Sequence, residues 1–171
     1  MGAAACPAQD VKIKQVACGW RHSCFVTSDG LLFTAGWAKY GQLGHLLMED
    51  HLYAAKVVAL EELKVKLVSG GWRHTVAVTP SGRLFAWGWN KFGQLGLGMH
   101  NDVNIPTQVV AVADKSVTQV ACGWRHTVAV SDDGGIYSWG RGANGQLGHG
   151  DTEEQFLPVR IELMDKICAL G

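Results

Sequence analysis

The apolar positions of this chain fall in short runs rather than in helical stripes. VTQVACG, HTVAVS and GGIYSWG, between Val117 and Gly140, are rich in Val, aromatic and small residues. Turn signals such as SDG, PSG and DDGG separate runs of this kind along the chain. Such runs predict β-strands. A fourth run, QVVAV or LPVRI, follows a long glycine-bearing loop. Pro106 and Pro158 are expected at its start, where a missing N–H costs least.

The strand pattern repeats. Trp20, Trp72 and Trp124 stand 52 positions apart, and the same step aligns His22, His74 and His126 and the three GQLG segments at Gly41, Gly93 and Gly145. Three tandem units are predicted, at about 11–62, 63–114 and 115–166, with 167–171 opening a fourth. Four short strands every 50 residues or so predict propeller blades, an all-β fold of four-stranded antiparallel sheets. The 22 glycines then serve tight turns and close backbone approach. GQLG lacks the lysine and the strand-to-helix setting of a phosphate loop.

Composition narrows the function. In 171 residues, 15 Lys and Arg balance 15 Asp and Glu, so no global field draws the chain to nucleic acid or to an acidic membrane. The five cysteines are odd in number and form no CxxC pair, and no signal peptide is evident, so reduced thiols in an intracellular protein are expected. No stretch nears the roughly 20 apolar residues of a membrane helix, and a soluble chain is expected.

Candidate chemistry lies in the tryptophans. Trp37, Trp87, Trp89 and Trp139 occupy columns shared with Ala35 and Arg141, and core filling is expected of them. Trp20, Trp72 and Trp124 each precede an arginine, a pairing ill suited to an apolar core because an unpaired buried guanidinium is costly. They are expected side by side on one face, with Arg21, Arg73 and Arg125 in cation–π contact. Indole absorbs in the UV-B by itself, so such a cluster needs no cofactor. The histidine column is expected to make strand-locking hydrogen bonds rather than bind a metal, and Cys18, Gly70 and Cys122 form a small-residue packing column. No catalytic constellation is seen, and no enzyme is expected.

The frame Val-x-x-Gly-x-x-His-Ser/Thr, then an aromatic-Gly pair and Gly-Gln-Leu-Gly, resembles the regulator of chromosome condensation repeat family, whose members are seven-bladed propellers. The chain would be an incomplete three-blade arc of that ring, a fragment. Trp-Arg in all three units is similar to a UV-B-sensing plant branch of the family. That resemblance implies Trp72 and Trp20 as principal chromophores and Trp124 as auxiliary. It implies Arg73, Arg125, Arg21, Arg141 and Lys39 at the interface of a salt-bridged homodimer released by light, leading to signalling in cytoplasm and nucleus. The blades that would supply acidic partners, and the tail through which that branch engages a ubiquitin ligase, are not found in this sequence. Chromatin association is implied by the family alone. A light-independent interaction scaffold and an exchange module for a small GTPase are the alternatives. Unit one is irregular: GHLLMED replaces the glycine-bearing turn GHGDTEE, and Ala54 stands where Pro106 and Pro158 stand.

Overall fold

A computed structural model describes residues 11–162; the expected opening of a fourth unit at 167–171 lies outside the described residues. Twelve strands form three antiparallel four-stranded sheets. The first holds β1 (Ile13–Cys18), β2 (His22–Thr27), β3 (Leu32–Gly36) and β4 (His51–Lys56). The second holds β5 (Leu67–Gly70), β6 (His74–Val78), β7 (Leu84–Gly88) and β8 (Val103–Gln108). The third holds β9 (Val117–Cys122), β10 (His126–Ser131), β11 (Ile136–Gly140) and β12 (Gln155–Arg160). In each sheet spatial order follows chain order. The inner strands β1, β5 and β9 approach one another in turn. These are three blades of a propeller. No helix among the described residues is long and apolar enough to cross a membrane.

The core lies between sheets. Cys24, Val26 and Leu32 of the first sheet pack on Ala77, Phe85 and Trp87 of the second. Val76, Val78 and Ala86 of the second pack on Ala129 and Trp139 of the third. Because the second sheet has a neighbour on each face, β6 and β7 are buried along their whole length. Each large side chain so buried contributes about 1.5–3 kcal/mol. Polar pins add register: the side-chain amide of Gln15 donates to Val68 O and accepts from Val68 N, both at 3.0 Å.

The fourth strand differs from expectation. It runs Val103–Gln108, and Val110–Val112 of the predicted QVVAV run is a short 3-10 turn. Pro106 and Pro158 therefore lie inside their strands, not at the start. The reason is that this strand is the sheet's outer edge. Val109 N–H donates inward to Leu84 O at 2.9 Å, so by strand alternation position 106 faces away from the sheet, where no donor is needed.

Candidate functional site

The site is built on the turns that follow the inner strands, where Gly-Trp-Arg leads into β2, β6 and β10. Below it, a repeated set of hydrogen bonds clamps the blades. His22 Nε2 meets Thr75 Oγ1 at 2.8 Å. Thr75 Oγ1 and Trp87 Nε1 both donate to the carbonyl of Gln42, at 2.7 and 3.0 Å. The next interface repeats this with His74 and Thr127, whose hydroxyl, like Trp139 Nε1, donates to Gln94 O. The locking bond expected of the histidines thus runs between blades, not within one. Burial lowers the pKa of His22 to about 4 and that of His74 to about 3, so both rings are neutral. Trp87 and Trp139 are fully buried at these joints, as core filling requires. The GQLG glycines serve the same joint: at Gly44, with φ +80°, a Cβ would come within 2.8 Å of Trp87 Nε1.

Above the clamp the indoles converge. Trp72 is central, its ring centroid 5.5 Å from Trp20 and 5.4 Å from Trp124. Trp72 is half-buried, while Trp20 and Trp124 are 49% and 56% exposed. Their turns border an open cleft of about 370 Å³ with Cys18 and Cys122 on its wall. Gly70 falls between these cysteines in the repeat because a Cβ there would meet Gly19 N at 2.7 Å.

Each arginine stands over its own tryptophan. The guanidinium carbon lies 4.1 Å from the ring centroid for Arg21 and Trp20, 3.6 Å for Arg73 and Trp72, and 3.8 Å for Arg125 and Trp124. Arg125 also lies 5.0 Å from Trp72. Burial first, then the charges of Arg141 and Arg73, lower the Arg125 pKa from its usual range. Among the described residues the ion pairs join Lys56 to Glu61 and Lys115 to Asp114 and Asp133, and none engages these arginines. The guanidinium groups are held by ring faces instead.

Two expected core tryptophans belong to this face. Trp37 stacks edge-on to Trp20 at 6.0 Å, and Trp89 edge-on to Trp72 at 5.2 Å. Neither is fully buried. Each follows the last residue of a β-strand, Gly36 or Gly88, whose φ of +113° or +106° turns the chain out of the sheet. Tyr40 and Phe92 complete the set without having been singled out from the sequence. Tyr40 bridges Trp37 and Trp89, and Phe92 packs on Trp89. The available signal was an aromatic at the same place before two GQLG segments, WAKYGQLG and WNKFGQLG. Arg141 reaches the site through Phe92, at 5.3 Å, whereas Lys39 touches only the rim, 5.8 Å from the Tyr40 ring.

Blades of this register, carrying Gly-x-x-His turns and GQLG joints, define an RCC1-like propeller. A sequence model of the RCC1-like domain matches residues 3–171, and the chain belongs to that family. It is 51% identical over 160 residues to the ultraviolet-B receptor UVR8 of Arabidopsis thaliana, covering 94% of this chain and 36% of the receptor. It is 38% identical to the human probable E3 ubiquitin-protein ligase HERC4, covering 92% of this chain and 15% of that protein. The chain thus spans about a third or less of the length of these relatives. Among solved structures, human WBSCR16 superimposes with a TM-score of 0.76 at 28% identity, covering 90% of this chain and 40% of that one. Yeast RCC1 (Prp20), solved bound to Kap60, gives 0.76 at 26% identity, covering 91% and 38%.

Proposed function

We propose that this chain is a UV-B-sensing propeller segment whose indole cluster absorbs light and whose arginines hold a second copy in the dark. The observation that carries the reading is the placement of Arg73 and Arg125 over Trp72, at 3.6 and 5.0 Å, within a contiguous cluster of tryptophans. Similarity to the Arabidopsis receptor supports it.

In this reading Trp72 and Trp20 are the principal chromophores and Trp124 the auxiliary one. Excitation redistributes π charge under the guanidinium groups, so the contact that orients each arginine changes as the photon is absorbed. Arg73, Arg125, Arg21 and Arg141, with Lys39 at the rim, supply the cationic half of the cross-subunit pairs. Desolvated cross-interface pairs couple by about 1.5–7 kcal/mol, enough to hold a dimer and to lose it when their geometry shifts. The same reading has the chain signal in cytoplasm and nucleus.

Size-exclusion chromatography before and after a UV-B pulse, with Trp72→Phe alongside, tests it. Loss of the dimer on irradiation, absent from the variant, is expected. An elution volume unmoved by light in the unaltered chain would reject light-driven switching by this chain.

A second reading, a light-independent interaction scaffold, rests on the exposure of Trp20 and Trp124, which equally suits a docking face. A dimer that forms with the Trp72→Phe variant and ignores light in both proteins would favour it.

A further inference from the structure

Both internal blade joints are made by the same columns of the repeat. The leading blade offers a glycine turn: an added Cβ at Gly41 or Gly93 would meet Asn104 or Phe156 of the following blade, and one at Gly44 or Gly96 would meet Trp87 or Trp139. It also offers a histidine, His22 to Thr75 and His74 to Thr127, and a carbonyl, Gln42 O or Gln94 O, to which the same threonine donates. At the first joint Gln15 adds its amide to both backbone groups of Val68.

The chain carries both halves of one further joint, on separate faces. The third blade repeats the leading half. An added Cβ at Gly145 would have nothing within 4 Å, and Gly148 and Gln119, the latter in the column of Gln15, are exposed. Val128, Val130 and Ile136 are half-buried, whereas Val76, Val78 and Leu84 of the same columns are closed by the third blade. The first blade repeats the receiving half. Val16 is 62% exposed where Val68 is 3%, and Leu52, in the column of Asn104 and Phe156, is 90% exposed. Ser23 and Ala35, in the columns of Thr75 and Trp87, line an open hollow of about 480 Å³ beside Leu52.

We propose that the third blade of one copy stacks on the first blade of a second copy, repeating the internal joints across the boundary between chains. Register selects this occupant. The 52-residue step sets Gly145 over Leu52, Gly148 over Ala35, Gln119 on the backbone of Val16, and both the His126 ring and Gln146 O on the Ser23 hydroxyl. The contact is heterologous, and such contacts form closed rings when the rotation allows. Two copies supply six blades, within the roughly 4–8 at which propellers close, so one dimer can make the joint twice. Ala35 brings no indole to fill the hollow and no second donor to Gln146 O, so the joint is weaker than the internal pair and concentration-dependent. It uses none of the arginines and stands independently of the light-sensing reading.

Sedimentation velocity of the 171-residue chain at about 1 M salt, where the Debye length is about 3 Å, removes exposed ionic contacts from the measurement. Association that rises with concentration is expected. Val16→Glu on the receiving face and Val128→Glu on the leading face should each weaken it at least tenfold, with far-UV circular dichroism unchanged. An equimolar mixture of the two should recover association through one joint, because the intact leading face of one variant meets the intact receiving face of the other. Gln119→Ala, at an exposed side chain, supplies a second leading-face variant for the same mixture. Arg73→Ala should leave association unchanged. A monomer at every concentration would assign the two faces to a different partner and overturn the proposal. Folded face variants that associate like the unaltered chain, mixtures that stay monomeric, or loss of association in Arg73→Ala would overturn it too. Failure of the light response at low salt would leave these outcomes unmoved.

Discussion

Arg73 of the second blade donates from Nη1 to the hydroxyl of Tyr40 in the first, at 2.8 Å. The same guanidinium stands over Trp72 and lies 4.7 Å from the Tyr40 ring. One cation therefore joins aromatic groups of two blades. A lysine at this place could offer the charge but not the planar fork that stacks and donates at once.

On the proposed light-sensing reading, removing that cation should be felt most in the dark dimer. Arg73→Ala is expected to weaken low-salt self-association at least tenfold, or about 1.4 kcal/mol. Tyr40→Phe, which removes one hydrogen bond but keeps the ring, should cost about 0.5–1.5 kcal/mol at most. Sedimentation equilibrium of the two variants beside the unaltered chain checks the order; equal effects would contradict it.

The blade joint makes a separate demand. Trp87→Ala leaves a large cavity between the first two sheets and should destabilise by about 3–5 kcal/mol. Trp87→Phe retains most of the packing but drops one of the two donors to Gln42 O, and a loss of about 1–3 kcal/mol is expected. Urea midpoints followed by far-UV circular dichroism rank the two.

At the same joint Gly44→Ala should destabilise by more than about 1 kcal/mol, since a positive φ disfavours any side chain and the added methyl would press on the Trp87 ring. Gly134, also at positive φ but with nothing within 4 Å of an added Cβ, should tolerate alanine better. Comparison of the two thermal midpoints separates steric conflict from backbone strain.

Acid should loosen the blades before carboxylate protonation does. The unfolded chain takes up protons as pH falls through 6.5, while the buried rings resist until about 4 for His22 and about 3 for His74. The native state binds fewer protons in that window, so stability is intact above about pH 7 and falls as pH drops from 6.5 toward 4. Asp133, held down to about 2 by Ser131 and the Gly135 N–H, loses its contribution only below the ordinary carboxylate range. A urea midpoint that declines between pH 7 and 4.5 is expected, and a flat profile would show that the histidines are not neutral ligands of the joint.

The 52-residue register, the strand composition and the Trp-Arg pairs were legible because identical local sequence repeats at constant spacing, and each blade must satisfy the same backbone. The sequence by itself thus determined three antiparallel sheets and the presence of three indole–guanidinium pairs. It did not determine which other aromatics share their face. Within a strand, alternation assigns sides, and Trp87 follows it into the core; one step past Gly36 or Gly88 the chain leaves the sheet, and alternation no longer says where Trp37 or Trp89 points. The prolines misled for a related reason: a missing N–H suits a strand's start and an outer edge equally, and only the sheet order showed that Pro106 and Pro158 lie on an edge. The contacts of Arg73 with Tyr40 and of Trp87 with Gln42 join residues 33 and 45 positions apart across two blades. Such partners are chosen by the stacking of one sheet on the next, a geometry that exists only once both sheets have formed.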